Sequence, residues 1–344
     1  MQTRVYMSHL WNLVKVKAAC PGRSKKLCLK MRATLQALVG LACLAAACLL
    51  LAAQIPWVKT WFYDLAWYSW LVVLDALVLA RTGRSLIFDR TREFFILLGW
   101  SIFIWLIFEH FNLRLGNWHY VDLPPTTWVR WLGYAVAYAT VLPALFLTER
   151  ALAAWGVWRR IKVKPIRPGG RWYNLFFILG LAMFFLPLTW PRYFFPLIWG
   201  TFIFLLEPAN HRLGGRSLMA EWERGELTTF CRLLLAGLIC GGIWEFLNFW
   251  AGAKWIYTVP FVGFLKIFEM PILGFLGFPP FAVACYVMYS FIDRLRGGAF
   301  FEDAQPEAQR WGRPWRLVVV IIWVVYFNLV FRAIDRYTVI NFLG

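Results

Sequence analysis

The sequence predicts an all-α membrane protein: a polytopic transmembrane bundle of about nine spans, built from two parallel four-span repeats plus one N-terminal span. Three observations lead to this prediction. The chain of 344 residues is 61% hydrophobic and only 16% charged, whereas soluble domains are closer to a quarter charged. Its apolar residues fall into runs long enough to cross a bilayer. Its Lys and Arg residues collect between those runs, and two ordered series of residues match each other along the chain.

A basic and partly apolar segment, residues 1–32, opens the chain, and we expect it to lie on the cytoplasmic surface as an interfacial segment. The first apolar run, within 33–56, is too long for the core of a cleaved signal peptide, so a retained first transmembrane helix is predicted. The further predicted spans are 61–80, 94–112, 128–148, 173–190, 193–207, 228–250, 271–292 and 316–335. The intervening segment 259–270 is predicted to be re-entrant or interfacial, because 259–292 is longer than one crossing needs.

The connecting loops alternate between basic and nearly uncharged ones. By the positive-inside rule this places the N-terminus in the cytoplasm and the C-terminus outside, in a plasma membrane such as the bacterial inner membrane. The same rule accounts for the formal net charge of +18, so no nucleic-acid partner is expected. The spacing of the 7 Cys predicts small core hydrophobes rather than a zinc site. No metal and no cofactor are predicted, and the absence of a P-loop pattern argues against an ATP-driven pump.

The two matching series give the repeat boundaries. Asp75 stands nine residues before Arg84 in a Gly-Arg-Ser-Leu sequence, and Glu207 stands nine before Arg216 in the same four-residue sequence. We name the next matching groups the first site (Glu109, Asn112, Trp118 and Tyr120) and the second site (Glu245, Asn248, Trp255 and Tyr257). The predicted repeats are 57–190 with spans 2–5 and 191–344 with spans 6–9. An even number of spans makes the copies parallel, with a pseudo-two-fold axis along the membrane normal.

The acid and amide of each site are one helical turn apart and share a helix face. Carboxylates are costly in a membrane and usually face an interior, a cavity or a partner. Such an acid has a raised proton affinity, as a general acid requires, and an Asn can orient a water. The alternative is structural: Glu and Asn cap the adjacent loop or bridge the two halves, and the Trp and Tyr residues form an interfacial belt.

Glu269, which precedes Pro271 at the end of the segment 259–270, is a further candidate acid. The predicted catalytic residues are Glu245, Glu269, Asn248, Glu109 and Asn112. The predicted substrate-binding residues are Trp255, Tyr257, Trp118, Tyr120, His110 and His119. At the cytoplasmic helix ends, Asp75 with Arg84 and Glu207 with Arg216 are predicted to form structural ion pairs. His110 and His119 flank the first site only, so no paired haem or metal ligands are predicted.

Trp255-Ile256-Tyr257 followed by Phe268-Glu269-Met270-Pro271 resembles the membrane-embedded lycopene cyclase and carotenoid hydratase group. That resemblance implies an all-helical fold and cofactor-independent protonation of a polyene, with Glu245 and Glu269 as acid and base. The chain differs from the group in having a single acid at Glu269, followed rather than preceded by Pro271. The whole chain also resembles uncharacterised bacterial polytopic membrane proteins, which implies no function.

Three hypotheses about function therefore stay open. The first is an intramembrane acid–base enzyme that acts on an isoprenoid, such as a carotenoid, or on another lipid. The second is a transporter for a small or amphiphilic solute, for which both sites should matter equally. The third is a non-catalytic membrane scaffold or complex subunit, in which the acids hold helices together. Membrane lipid is the expected partner in each case, and oligomeric state is left open.

Overall fold

The computed structural model describes residues 25–296 and 313–340, and most of them are helical. The helices are α1 (Lys25–Ala52), α2 (Pro56–Thr82), α3 (Leu86–Asp89), α4 (Thr91–Leu115), α5 (Thr127–Tyr138), α6 (Val141–Ala154), α7 (Gly170–Thr189), α8 (Pro191–Phe194), α9 (Ile198–Arg212), α10 (Leu218–Glu223), α11 (Thr228–Trp250), α12 (Phe278–Arg296) and α13 (Arg313–Tyr337). The strands are β1 (Trp118–Val121), β2 (Lys254–Tyr257), β3 (Lys266–Ile267) and β4 (Met270–Pro271). The predicted all-α class is confirmed.

Within the described residues, 8 helical segments are long and apolar enough to cross a membrane. They are α1, α2, α4, α5 with α6, α7, α11, α12 with the preceding turn, and α13. The predicted span 193–207 corresponds to α9, which has only 15 residues. It follows α8 and a 3₁₀ turn without a break, and Pro196 lies in that turn. The multi-pass architecture is therefore confirmed.

Peripheral and central helices differ in burial. On α1, α7 and α13 large apolar side chains are exposed, as lipid-facing positions require, for example Leu49, Ile178 and Val324. In α12 every residue from Phe281 to Ser290 is buried, so this helix lies at the centre of the bundle. Residues 25–32, predicted to be part of an interfacial segment, form the first turns of α1, and residues 1–24 lie outside the described residues.

Glycines allow the closest helix contacts. A Cβ built on Gly40 of α1 would lie 2.8 Å from Val73 Cγ2 of α2. On α11, a Cβ on Gly237 or Gly241 would collide with Phe278 at the start of α12. Small residues at such contacts let backbones approach in a bilayer, where van der Waals packing rather than the hydrophobic effect holds helices together.

The connections gather at the two ends of the bundle. At the strand end, which contains β1, β2 and residues 258–277, the Gly252 N–H donates to the Lys59 carbonyl at 2.8 Å. At the basic end, which contains α3, α10 and residues 155–169, the Val163 N–H donates to the Gly225 carbonyl at 2.9 Å. Each end thus joins loops from distant parts of the chain, as a bundle of antiparallel neighbouring helices requires.

The buried carboxyl group of Asp75 at the basic end has neutral partners instead of the predicted arginine. It accepts hydrogen bonds from the Ser85 hydroxyl, from the Leu86 N–H at 2.7 Å and from Gln36 Nε2 at 2.8 Å. The ion pair predicted with Arg84 is therefore wrong. The chain turns back on itself at Gly83, and this brings the first residues of the next segment, rather than the long Arg84 side chain, onto the carboxyl oxygens.

Glu207 is held in the same way. Its carboxyl group accepts from the Ser217 hydroxyl at 2.6 Å and from the Met219 N–H at 2.9 Å, where the sequence predicted Arg216. The two acids fix the start of the short helices α3 and α10 respectively. The prediction that the cysteines are small core hydrophobes holds for the free thiols of Cys240 and Cys285, which are buried, and is wrong for Cys43 and Cys48, which are exposed. Cys28 is disulfide-bonded.

Candidate functional site

The first and second sites meet through a two-stranded antiparallel sheet at the strand end. In its register Trp118 pairs with Tyr257, and Tyr120 pairs with Trp255. The tryptophan of each site therefore lies opposite the tyrosine of the other site. Such reciprocal pairing is what a two-fold axis between the strands produces. Segments that are far apart in sequence thus build one composite site.

The two asparagines hold the strands in place. Asn112 Nδ2 donates to the Trp118 carbonyl at 2.8 Å, and its Oδ1 accepts from the Asn117 N–H at 2.8 Å. Asn248 Nδ2 donates to the Trp255 carbonyl at 2.8 Å, and its Oδ1 accepts from the Trp255 N–H at 3.0 Å. Because both ends of each amide bind backbone, these side chains position the strands relative to the helix ends.

Glu109 lies in a buried cluster of aromatic hydrogen-bond donors. Its Oε1 accepts from Trp105 Nε1 at 2.9 Å, from Trp118 Nε1 at 3.1 Å and from the Tyr120 hydroxyl. The Tyr138 hydroxyl in turn donates to the Tyr120 oxygen at 2.9 Å. Three donors on one oxygen fix the orientation of the carboxyl group, while its Oε2 is buried without a hydrogen-bond partner in the described residues.

Glu245 has a sparser set of partners than Glu109. Its Oε1 accepts from the Tyr257 hydroxyl at 2.7 Å, and that hydroxyl oxygen accepts from Trp255 Nε1 at 2.8 Å. Its Oε2 also has no hydrogen-bond partner among the described residues. In the second site the hydrogen bonds therefore run in series, from the Trp255 indole to the Tyr257 phenol to the carboxyl group. In the first site the indole of Trp118 and the phenol of Tyr120 each donate directly to the carboxyl group.

A cavity of about 150 Å³ lies between the two sites. Half of the residues that line it are Trp, Tyr or Phe, and they come from α2, α4, α5, α9, α11, α12 and both strands. From the first site and its helix they include Trp105, Trp118 and Tyr120, and from the second Trp244, Trp255 and Tyr257. A mainly apolar wall with a few polar groups is typical of small-molecule sites.

Two basic side chains in the cavity wall are neutralised by acids. Arg130 binds Asp335 through two parallel contacts, Nε to Oδ1 at 2.7 Å and Nη2 to Oδ2 at 2.6 Å. Lys254 Nζ lies 2.6 Å from Oε1 of Glu269. Glu269, predicted as a catalytic acid, is therefore the partner of a lysine beside the second site.

Asp64 lies in the same wall, on α2. Within the described residues it makes no hydrogen bond and no ion pair, and its Oδ1 is buried without a partner. Asp64 lies within the predicted span 61–80 and was not among the predicted site residues. The signal was present, because a carboxylate in an apolar helix is the feature that drew attention to Glu109 and Glu245.

The structure thus brings some of the predicted site residues into the cavity wall and leaves others behind it. Trp118, Tyr120, Trp255 and Tyr257 line the cavity. Glu109 and Glu245 stand behind these aromatic residues, and the asparagines stand behind the strands. His110 is exposed and stacks on Tyr326, so it faces away from the cavity. The wall residues Tyr63, Tyr134 and Tyr138 were not predicted, because their contribution depends on helix packing.

Burial shifts the pKa values of the titratable residues in β1 and β2. It raises the pKa of Tyr120 and of Tyr257 well above the usual value, and the adjacent Glu109 and Glu245 act in the same direction. Burial lowers the pKa of His119, whose Nδ1 lies 3.2 Å from the Thr258 hydroxyl. At neutral pH the phenols and the imidazole are therefore neutral, and the strands contribute hydrogen-bonding groups rather than charges.

Within the described residues no group of three or more His, Cys, Asp or Glu could hold a metal ion. Comparison of the chain with protein-family models, with curated proteins and with solved structures gave no match. The function must therefore be argued from the cavity and its wall.

Proposed function

We propose that this multi-pass membrane protein binds a small amphiphilic molecule in the cavity between the two sites and acts as a carrier or transporter for it. The observation that carries the proposal is the half-aromatic cavity of about 150 Å³, with polar groups confined to a few positions. A cavity of that size holds a molecule as large as benzene. It accommodates a small solute or the end group of a longer lipid, such as an isoprenoid.

The contacts of the predicted catalytic residues favour binding over acid–base chemistry. Both amide ends of Asn112 and Asn248 form hydrogen bonds with backbone groups in or next to the strands, and neither asparagine lines the cavity. Glu269 does not line the cavity, and its Oε1 is engaged by Lys254 Nζ at 2.6 Å. A role in positioning the strands accounts for these residues.

One contact keeps the enzyme hypothesis as a second candidate. Tyr257 lines the cavity, and its hydroxyl lies 2.7 Å from Glu245. A proton held by Glu245 would reach a ligand through this phenol, as a general-acid relay requires. In that case the second site, with its single donor to the acid, would be the active one, and a polyene end group would be a fitting substrate.

Matching contacts also support an internal duplication. Asp75 and Glu207 each hold the start of the next short helix, and the strands pair reciprocally. The close contact of Gly40 with Val73 has a counterpart in Gly180 with Leu205. Val73 and Leu205 are separated by the same number of residues as Asp75 and Glu207. This correspondence supports assigning α1 to the first copy and α7 to the second, so we propose copies at 25–154 and 170–296 instead of 57–190 and 191–344.

For the topology we propose nine crossings, with α8 and α9 together forming the sixth. The basic end would face the cytoplasm of a bacterial plasma membrane, and the strand end would face outside. The irregular segment 258–277 exposes large apolar side chains, including Phe264 and Leu276. Irregular backbone within the hydrocarbon must be buried in protein or line a cavity, so this exposure favours an interfacial over a re-entrant position.

The test of ligand binding is to fill the cavity. Gly133 lies in its wall, and a Cβ there would be 3.7 Å from the Trp61 ring, which is an ordinary contact. Gly133→Ala should therefore leave the cavity open, whereas Gly133→Phe should occupy it. Small molecules and lipids that co-purify with the full chain in mild detergent would be identified by mass spectrometry for the wild type and both variants.

We expect one compound that is retained by the wild type and by Gly133→Ala and is depleted from Gly133→Phe. The same profile in all three folded proteins would contradict the proposal. Glu245→Gln and Glu269→Gln, purified in the same way, test the enzyme hypothesis. Accumulation of an unconverted precursor in either variant would favour chemistry over carriage.

A further inference from the structure

The chemistry of the cavity wall restricts the charge of its ligand. Among the described residues of the wall, Asp64 is the sole acid, and Arg130 and Lys254 are the basic ones. Both basic groups already have carboxylate partners, Asp335 and Glu269, at 2.6 Å. The two ion pairs are therefore close to neutral as units, and Asp64 is the one acidic or basic side chain of the wall without a partner of opposite charge in the described residues.

Nothing in the described part of the protein compensates this carboxylate. Asp64 has no hydrogen-bond donor and no cation within contact distance there, and its Oδ1 is buried. Asp64 as a residue is partly buried and lines the cavity, and an ionised carboxylate with one oxygen withdrawn from water and no partner is unfavourable. Asp75, on the same helix, shows the contrast, because its carboxyl group accepts hydrogen bonds from three groups. A ligand with a positive charge would supply what Asp64 lacks.

The aromatic wall favours the same ligand. The faces of Trp and Tyr rings attract an organic cation, and the attraction is greatest when water is excluded. Trp61 and Tyr63 flank Asp64 in sequence and line the cavity, and Trp118 and Trp255 face it from the strands. An alkylated ammonium ion suits such a wall better than a bare ammonium, because its alkyl groups match the apolar surface and need no hydrogen-bond acceptors.

We propose that the cavity selects an alkylated ammonium ion, with Asp64 as its counter-ion and the tryptophan and tyrosine faces in place of water. This inference rests on the proposed function, because it names the class of ligand that the same cavity binds. Asp64 lies eight residues from the start of α2, which is about 12 Å from the strand end. The ion therefore enters from the strand end without crossing the bundle.

The test compares two probes of the same shape that differ in charge. Choline and 3,3-dimethylbutan-1-ol have the same skeleton, with a quaternary nitrogen in one and a quaternary carbon in the other. Binding of each to the full chain in a non-ionic detergent would be measured by calorimetry and by tryptophan fluorescence. The proteins are the wild type, Asp64→Asn and Glu223→Gln. The last removes a carboxylate at the basic end that pairs with His211.

We expect the wild type to bind choline roughly tenfold or more tightly than the neutral alcohol. Asp64→Asn should bring the two affinities close together, and Glu223→Gln should keep the preference. Asp64→Asn should also melt no lower than the wild type, because an amide is less costly to bury than an unpaired carboxylate.

Three results would overturn the inference. Equal binding of both probes to the wild type would remove the cation preference and leave ligand binding itself intact, and this comparison needs no variant. A preference that persists in Asp64→Asn would exclude Asp64 as the counter-ion. Binding of neither probe, together with no effect of Gly133→Phe on co-purified compounds, would overturn the proposed function as well.

Discussion

Removing the acid from the ion pair between Arg130 and Asp335 should destabilise the protein strongly. Asp335 accepts two contacts from the guanidinium, one from Trp131 Nε1 at 2.9 Å and one from the Tyr134 hydroxyl at 2.9 Å. The side chain of Arg130 is only 6% exposed and that of Asp335 17%. Asp335→Asn keeps the shape of the side chain but leaves the buried guanidinium without its charge partner.

The expected magnitude follows from burial. Breaking one partner of a buried pair costs about 3–5 kcal/mol, and the partial exposure of Asp335 places the value near about 3 kcal/mol. For a chain of 344 residues, the unfolding entropy of about 2.1 cal/mol/K per residue converts this into a fall in melting temperature of roughly 4 °C. Replacing both partners together, as Arg130→Met with Asp335→Asn, should cost less, because no charge stays buried alone and a polar side chain still faces Trp131 Nε1 and the Tyr134 hydroxyl.

The assay is thermal unfolding in detergent, followed by tryptophan fluorescence, for the single variants and the double variant. Arg32→Met is the matched control, since Arg32 forms a pair with Asp89 in which the side chains are 36% and 24% exposed. Such a pair contributes about 0–1 kcal/mol. The reasoning is refuted if Asp335→Asn is no more destabilising than Arg32→Met, or if the double variant is as unstable as Asp335→Asn.

Three further predictions concern the packing and the two sites. Gly241→Ala should lower the melting temperature, because its methyl group collides with a ring at the start of α12, whereas Gly242→Ala has nothing within 4 Å and should not; equal melting temperatures would contradict this. Glu109→Leu should lower the melting temperature more than Glu245→Leu, because it strands three donors and not one, each costing about 1–3 kcal/mol. Asn248→Ala should speed hydrogen exchange of the β2 amides, and unchanged exchange would show that the asparagine does not hold the strand.

The sequence predicted the class of fold because the bilayer imposes simple rules. Runs of apolar residues must be long enough to cross, and every backbone group within them must be paired, so helices follow from composition. The one span that fell short, at 193–207, is interrupted by Pro196, where the chain has a 3₁₀ turn. Composition cannot tell whether α8 and α9 form one crossing, since that depends on how the turn continues into the helix.

The candidate site was predictable only in part. Glu109 and Glu245 stood out because acids are rare in apolar helices, and the Trp and Tyr residues of the strands matched in order. Their pairing across the two strands depends on three-dimensional register, which no local pattern specifies. Asp64 was recognisable as an intramembrane acid, but its lack of partners became visible only when the surrounding helices were in place. The hydrogen-bond donors to Asp75 could not be predicted, because the turn at Gly83 determines that the Ser85 hydroxyl and the Leu86 N–H reach its carboxyl group.

The reciprocal register of β1 and β2 bears on how the molecule could have arisen. Under the proposed duplication, β1 and β2 belong to different copies and pair with each other, so one copy made alone would present an open strand edge and unfilled aromatic surface. Two identical copies could cover both the strand edge and the aromatic surface by associating about a two-fold axis, as a homodimer does. The segment 258–277 follows β2, whereas only residues 122–126 separate β1 from α5, and under the proposed duplication such asymmetry is accessible once both copies belong to a single chain. On this account the specificity of the cavity would have been acquired after the halves were joined.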